Sequence, residues 1–153
     1  MQIKDFKLKD ETVLEIGKFA ILWNLFEKQY CNNSCNPNQL RRIAPSLTIE
    51  SDALKKLAIV LNARRLWFEM VISDYARRSM HPGNARISSE ENIRCMEQFL
   101  KMEGEELVLG CLLIIHRIRN NLMHGLKIAE QLDDQFALFE AVNNVLETVK
   151  REE

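Results

Sequence analysis

Only five glycines and three prolines punctuate the 153 residues of this chain. A β-sandwich or barrel needs a turn signal every 8–12 residues or so, and this chain does not carry enough of them. A disordered chain is also excluded, because 46% of the residues are hydrophobic against 28% charged. A chain of this length buries roughly 68–70% of its unfolded surface, enough for one core without staples. We therefore expect a single domain spanning residues 1–153.

The few breakers divide that domain into helices. Pro37 and Pro45 fall in one polar stretch, Pro82-Gly83 in a second, and Gly104 and Gly125 mark two further breaks. Between them, apolar residues recur at three and four. The spacing predicts a first helix from Glu11 to Tyr30, with Phe19, Leu22, Trp23 and Phe26 as its core stripe and Ile16 a turn earlier. A second runs from Ser51 to Ser79 and buries Leu57, Val60, Leu61, Leu66, Phe68 and Val71. A third starts at Ser88 or Ser89, where Ser88 and Glu91 have capping-box spacing, and ends near Met102. A fourth spans Glu105–His124, with Gly125 as its closing glycine. A fifth spans Lys127–Lys150, with Phe136, Phe139, Val142, Leu146 and Val149 on one side. No strand stands out, and the segment from Cys31 to Thr48 reads as the longest irregular piece. The expected fold class is all-α, a single-domain helical bundle of about five helices.

Charge and cysteines narrow the class. Twenty-one Lys and Arg face 22 Asp and Glu, a formal net charge of -1. That excludes a uniformly basic nucleic-acid coat but not a local basic site. The first ten residues lead into no apolar h-region, and the longest apolar stretch, Leu107 to Ile115, is far short of the ~20 residues of a membrane span. A cytoplasmic protein without membrane attachment is the expectation. Cys31, Cys35, Cys95 and Cys111 then read as four reduced thiols. Cys31 and Cys35 lack the spacing and the second ligand pair of a zinc site.

The helix at 105–124 carries most information. With His116 at zero and 100° per residue, Leu107, Val108, Cys111, Ile114, Ile115, Ile118 and Leu122 fall between about 160° and 280°. That is a core stripe. Leu109, Leu112, Leu113 and Met123 fall on the other arc, so the first half of the helix is apolar nearly all round and must be covered on both sides. Gly110 lies where it would permit a close helix approach. The pattern favours a homodimer through helix 105–124; the alternative is that other helices of the same chain wrap it.

The second half of that helix is polar. His116, Asn120 and His124 recur every fourth residue and share a face with Arg117, Arg119, Asn121 and, if the twist continues, Lys127. Imidazole is the natural general base near neutral pH. A guanidinium holds a phosphate at two points and stabilises charge growing on its oxygens. These groups suit cleavage of a phosphodiester. Two-metal chemistry needs clustered carboxylates, and none accompanies this row. No Gly-rich phosphate loop occurs either, so no metal and no cofactor is expected. For His124 alone, a dipole-complementing role at the helix end is the plain alternative.

The run Arg119-Asn120-Asn121-Leu122-Met123-His124-Gly125, with LLIIHRI before it, resembles the signature of the HEPN superfamily: Arg, often followed by Asn, then His after four to six intervening residues. Arg119 gives four and Arg117 gives six. A long helix follows the motif, as in that family, and Ala20–Glu27 resembles the aromatic first helix of many bacterial members. The resemblance covers about Leu107 to Val149.

That resemblance implies a dimeric, metal-independent endoribonuclease, a toxin or host-defence RNase, with two motifs facing each other across a shared cleft. It implies catalytic roles for Arg119, Asn120 and His124; His116, Arg117, Asn121 and Lys127, which share their arc, are the candidates to bind the substrate. His124 would move the proton of an RNA 2′-hydroxyl or of the leaving oxygen, Arg119 would hold the scissile phosphate, and Asn120 would fix geometry. RNA is then a partner, beside an antitoxin or a nucleotidyltransferase. Other members are non-catalytic, and a dimer serving as a nucleotide- or RNA-binding or regulatory scaffold is the alternative. The pairs Arg41-Arg42, Lys55-Lys56, Arg64-Arg65 and Arg77-Arg78 are candidates to hold an RNA backbone, with solvated surface as the plain alternative. Trp23, Trp67, Tyr30 and Tyr75 could stack bases, although core packing suits the tryptophans better.

Overall fold

A computed structural model of the chain describes residues 1–64, 86–123 and 129–152. Among these, six α-helices form the molecule: α1 (Asp10–Tyr30), α2 (Pro37–Ile43), α3 (Ser51–Asn62), α4 (Arg86–Lys101), α5 (Leu107–Met123) and α6 (Phe136–Thr148). The all-α expectation holds for them. Two minimal antiparallel ladders, which the sequence pattern did not predict, trim the edges. β1 (Gln2–Ile3) pairs with β2 (Phe6–Lys7), with Ile3 opposite Phe6. β3 (Leu47–Thr48) pairs with β4 (Lys150–Arg151), with Leu47 opposite Arg151.

The core follows the apolar stripes. Phe19, Trp23 and Phe26 of α1 are buried, with Ile16 and Leu22 packed beside them. The α1 stripe meets α6, where the Phe19 and Phe139 rings lie 5.5 Å apart. A buried polar link ties the same two helices. The Asn143 amide donates to the Glu15 carbonyl at 2.9 Å and to its carboxylate at 2.7 Å. Leu57 and Leu61 of α3 are buried and Val60 is half-buried, as the periodicity predicts.

Boundaries depart from expectation at four places. The second helix does not run unbroken to Ser79. α3 ends at Asn62, whose side chain donates to the Leu100 carbonyl at 3.0 Å, and residues 63–64 form a turn. The expected burial of Leu66, Phe68 and Val71 lies outside the described residues. α4 begins at Arg86, so the Ser88–Glu91 pair stands inside the helix instead of capping it. The fifth helix is split: residues Ala129–Gln135 are 3₁₀, and α6 starts only at Phe136. The segment after Cys31 holds a helix, α2. Asn36 caps it, its side-chain oxygen accepting from the Gln39 N–H at 2.9 Å, and Pro37 sits at the first helical position. That is a standard N-terminal signature.

The apolar girdle of α5 is covered within the chain. Leu109, Leu112 and Leu113 are as buried as Cys111, Ile114, Ile115 and Ile118. α4 supplies most of the cover, with α2 and the 3₁₀ turn Ala44–Ser46 on another side. A Cβ on Gly110 would lie 2.1 Å from the Cys95 carbonyl oxygen, 2.8 Å from its carbon and 2.9 Å from the Phe99 Cβ. Gly110 thus permits the close approach of α4 to α5. The two-sided apolar pattern that suggested a second chain is satisfied by the chain's own helices, the alternative weighed for it.

The cysteine expectation is corrected. Cys95 and Cys111 are free and buried, but Cys31 and Cys35 are joined in a disulfide. The cause is local geometry. α1 ends at Tyr30, and Asn32 and Asn33 both take left-handed backbone angles, φ 51° and 74°. Asparagine tolerates that conformation better than most residues. The reversal brings the two Cα atoms to 5.2 Å, within the usual disulfide range. Persistent disulfides belong mainly to oxidising compartments, so the cysteines no longer argue for a cytoplasmic protein. Among the described residues, no helix is long and apolar enough to cross a membrane.

Candidate functional site

α5 changes character along its length. Its first three turns are core, and at residue 116 polar side chains begin. His116 is half-buried, with its ring 6.1 Å from the Trp23 ring. Burial pushes this imidazole below its ordinary value, and the Arg119 charge one turn on acts the same way. A hydrogen bond to the Cys35 backbone and the Glu27 carboxylate oppose the shift. Glu27 also accepts from the Cys35 N–H at 3.0 Å. The cystine loop is therefore seated on α1 at Glu27 and on α5 at His116.

Arg119 and Asn120 lie together, half-buried, near the end of α5. The Arg119 Nη1 donates to the Asn120 Oδ1 at 3.2 Å. This bond uses one donor of the fork and leaves the Asn120 amide nitrogen for another partner. A guanidinium held in this way can take an anion at two points with little loss of side-chain entropy.

Arg117 and Asn121 are placed differently. Arg117 is only 5% exposed, and burial lowers its pKa. Asn121 is 7% exposed, and its amide oxygen meets no hydrogen-bond donor among the described residues. Both belong to the interior of the helix end, whereas Arg119 and Asn120 form its accessible part. His124 and Lys127 lie outside the described residues. The structure thus brings Arg119 and Asn120 into contact and sets His116 one turn before them.

The basic pairs are mostly spoken for where they are described. Arg41 donates to the side-chain amide oxygen of Asn92 and pairs with Glu91 at 3.6 Å. Lys56 pairs with Glu140 at 3.6 Å, and Arg64 donates to the Asp134 carbonyl at 2.7 Å. Arg42 and Lys55 are exposed. Arg65 and the pair Arg77-Arg78 lie outside the described residues, as do Trp67 and Tyr75. Trp23 stacks on Phe26, with ring centroids 5.2 Å apart inside the core, and the Arg151 guanidinium lies 5.4 Å over the Tyr30 ring. Neither aromatic presents an open face for a base.

The free thiols offer no nucleophile. Cys95 is pushed up to about 11 by burial and by its 3.0 Å hydrogen bond to the Glu106 carboxylate, and burial raises Cys111 as well.

Sequence reasoning missed the cystine loop beside His116. The signal was present: two cysteines four apart, enclosing Asn32-Asn33, directly after a helix. No protein-family model matches the chain, and neither does any curated protein or solved structure.

Proposed function

We propose that the chain is a metal-independent endoribonuclease of HEPN type. The observation that supports this reading is the Arg119–Asn120 couple, half-exposed near the end of α5 and followed in sequence by His124. Arg119 binds the scissile phosphate and stabilises the charge that builds on its oxygens in the pentacoordinate transition state. Asn120 fixes the guanidinium through its carbonyl oxygen. His124 takes the proton of the RNA 2′-hydroxyl as its oxygen bonds to phosphorus. The bond from phosphorus to the 5′ oxygen breaks, and that oxygen gains a proton. The products are a 2′,3′-cyclic phosphate and a 5′-hydroxyl. The biological role that fits such an activity is that of a toxin or host-defence RNase.

The test is cleavage of a mixed RNA pool in EDTA by the native chain, by Arg119→Ala and by His124→Ala, with analysis of the product ends. Removing a transition-state donor should lower the rate by about 10²–10³-fold. Cyclic phosphate ends from the native protein, lost in both variants, are the expected result. Absence of cleavage at stoichiometric protein refutes the enzyme and leaves the RNA- or nucleotide-binding module.

A further inference from the structure

The side of α1 that faces away from the core carries a row of exposed aliphatic side chains among polar ones. Leu14 is 70% exposed, Ile21 64% and Leu25 55%. At 100° per residue these three and Gly17 fall within an arc of about 80°, and Trp23 lies on the opposite side. Among the described residues nothing lies within 4 Å of the position a Gly17 Cβ would take, so the centre of the stripe is also its lowest point. Three large aliphatic side chains in one row on a water-facing helix form a patch of the kind that marks an interaction site.

We infer that this face pairs with the same face of a second copy of the chain, with the two α1 helices antiparallel about a two-fold axis crossing between Phe19 and Ala20. The charge and apolar patterns choose both occupant and direction. Around that axis, positions whose numbers sum to 39 lie opposite each other. Leu14 then meets the other copy's Leu25, and Ile21 lies beside Gly17 and Lys18 of the other copy. Glu11 meets the other copy's Lys28. Apolar packing and charge pairing share one register, as an isologous interface requires. Parallel packing would set Glu11 on Glu11 and Lys28 on Lys28, and it would align the two helix dipoles unfavourably. Lys18 is already held by Glu147 at 2.6 Å and borders the stripe. Gly17 lets the helices approach closely and seats the facing Ile21.

This interface does not depend on the ribonuclease reading. Its stripe lies across α1 from Trp23 and therefore from His116. The two tests can fail separately.

The experiment is sedimentation equilibrium of the full chain from about 1 to about 200 μM, a range suited to a contact smaller than the roughly 800 Å² per partner of standard interfaces. The native mass should rise from 17.9 kDa towards twice that value. Ile21→Glu should hold it at the monomer value, with Leu25→Gln as a second variant of the same stripe. Both positions are exposed, so the thermal melt at low concentration should not change. Glu11→Lys and Lys28→Glu should each weaken association about fivefold to tenfold, since each sets two symmetry-related like-charge pairs in place of attractive ones. The double variant should restore it. A native chain that stays monomeric, or an Ile21→Glu variant that still dimerises, overturns the interface. A double variant no better than the singles overturns the antiparallel register.

Discussion

Gly110→Ala should destabilise the fold, although alanine is the better helix former. Position 110 lies inside α5, where replacing glycine by alanine ordinarily contributes about 1 kcal/mol. Here the new methyl would stand 2.1 Å from the Cys95 carbonyl oxygen and 2.9 Å from the Phe99 Cβ. Backbone atoms and a buried aromatic's Cβ cannot swing aside as the end of a flexible side chain could. To restore van der Waals contact, α4 must move about 1 Å off α5. Overpacking of this kind costs about 3 kcal/mol at the upper end of its usual range. Subtracting the propensity gain leaves a net loss of about 2 kcal/mol, or about 4–8 °C in Tm for a chain of this size. Gly17→Ala is the matched control. Its methyl would meet nothing within 4 Å among the described residues, so propensity should act alone and raise Tm by about 2–4 °C. Thermal melts followed by circular dichroism at low micromolar concentration read both. An unchanged or raised Tm for Gly110→Ala would refute the close α4–α5 approach. It would also reopen the face of α5 to a second chain.

Three further results are expected. Reducing the Cys31–Cys35 disulfide, or replacing both residues by Ser, should lower stability by about 2 kcal/mol on the loop-closure argument for so short a loop; urea unfolding with and without a phosphine reductant measures it. Arg117→Ala should lower stability by about 1–3 kcal/mol, because it empties a buried site, while Arg119→Ala should leave Tm within about 0.5 kcal/mol of native and act on RNA cleavage instead. His116 should make stability rise with pH. Its native pKa is lowered, so the unfolded chain binds the proton more readily. The stability tied to the neutral ring is fully present above the unfolded value of about 6.5 and is lost as pH falls towards the lower native one. His116→Gln should flatten that slope in melts across this window, and an unaltered slope would count against a lowered pKa for the half-buried ring.

The helices were legible wherever packing stripes were long. Phe19, Trp23 and Phe26, or Phe139, Val142 and Leu146, recur at helical spacing over four turns or fewer and turned out buried. What escaped was decided by single local interactions. α2 depends on one Asn36 cap and one proline, too little to stand out in a window built for amphipathic stripes. The β3–β4 ladder is two residues long and joins positions about a hundred apart, so no local pattern could announce it. The cystine depends on two left-handed asparagines, a backbone conformation that residue spacing alone does not reveal.

The candidate site shows the same limit more sharply. Residue types placed Arg117, Arg119, Asn120 and Asn121 on one polar arc of a helix, and a wheel assigns all of them the same access to a ligand. The structure separates them by burial: Arg117 and Asn121 face inward, and Arg119 and Asn120 remain half-exposed and hydrogen-bonded to each other. Burial is set by the tertiary fold, which a helical wheel does not contain. Leu109, Leu112 and Leu113 teach the converse. Their pattern states that something covers that side of α5, and it is equally satisfied by a second chain or by α4. The Cys95 carbonyl at Gly110 decides for α4. α1 carries a comparable signal in Leu14, Ile21 and Leu25, but there the three side chains stay exposed and no described residue comes within 4 Å of a Cβ at Gly17. An apolar pattern already covered within the chain gives no reason to invoke a partner. One left exposed, with a charge pattern complementary to its own image, does.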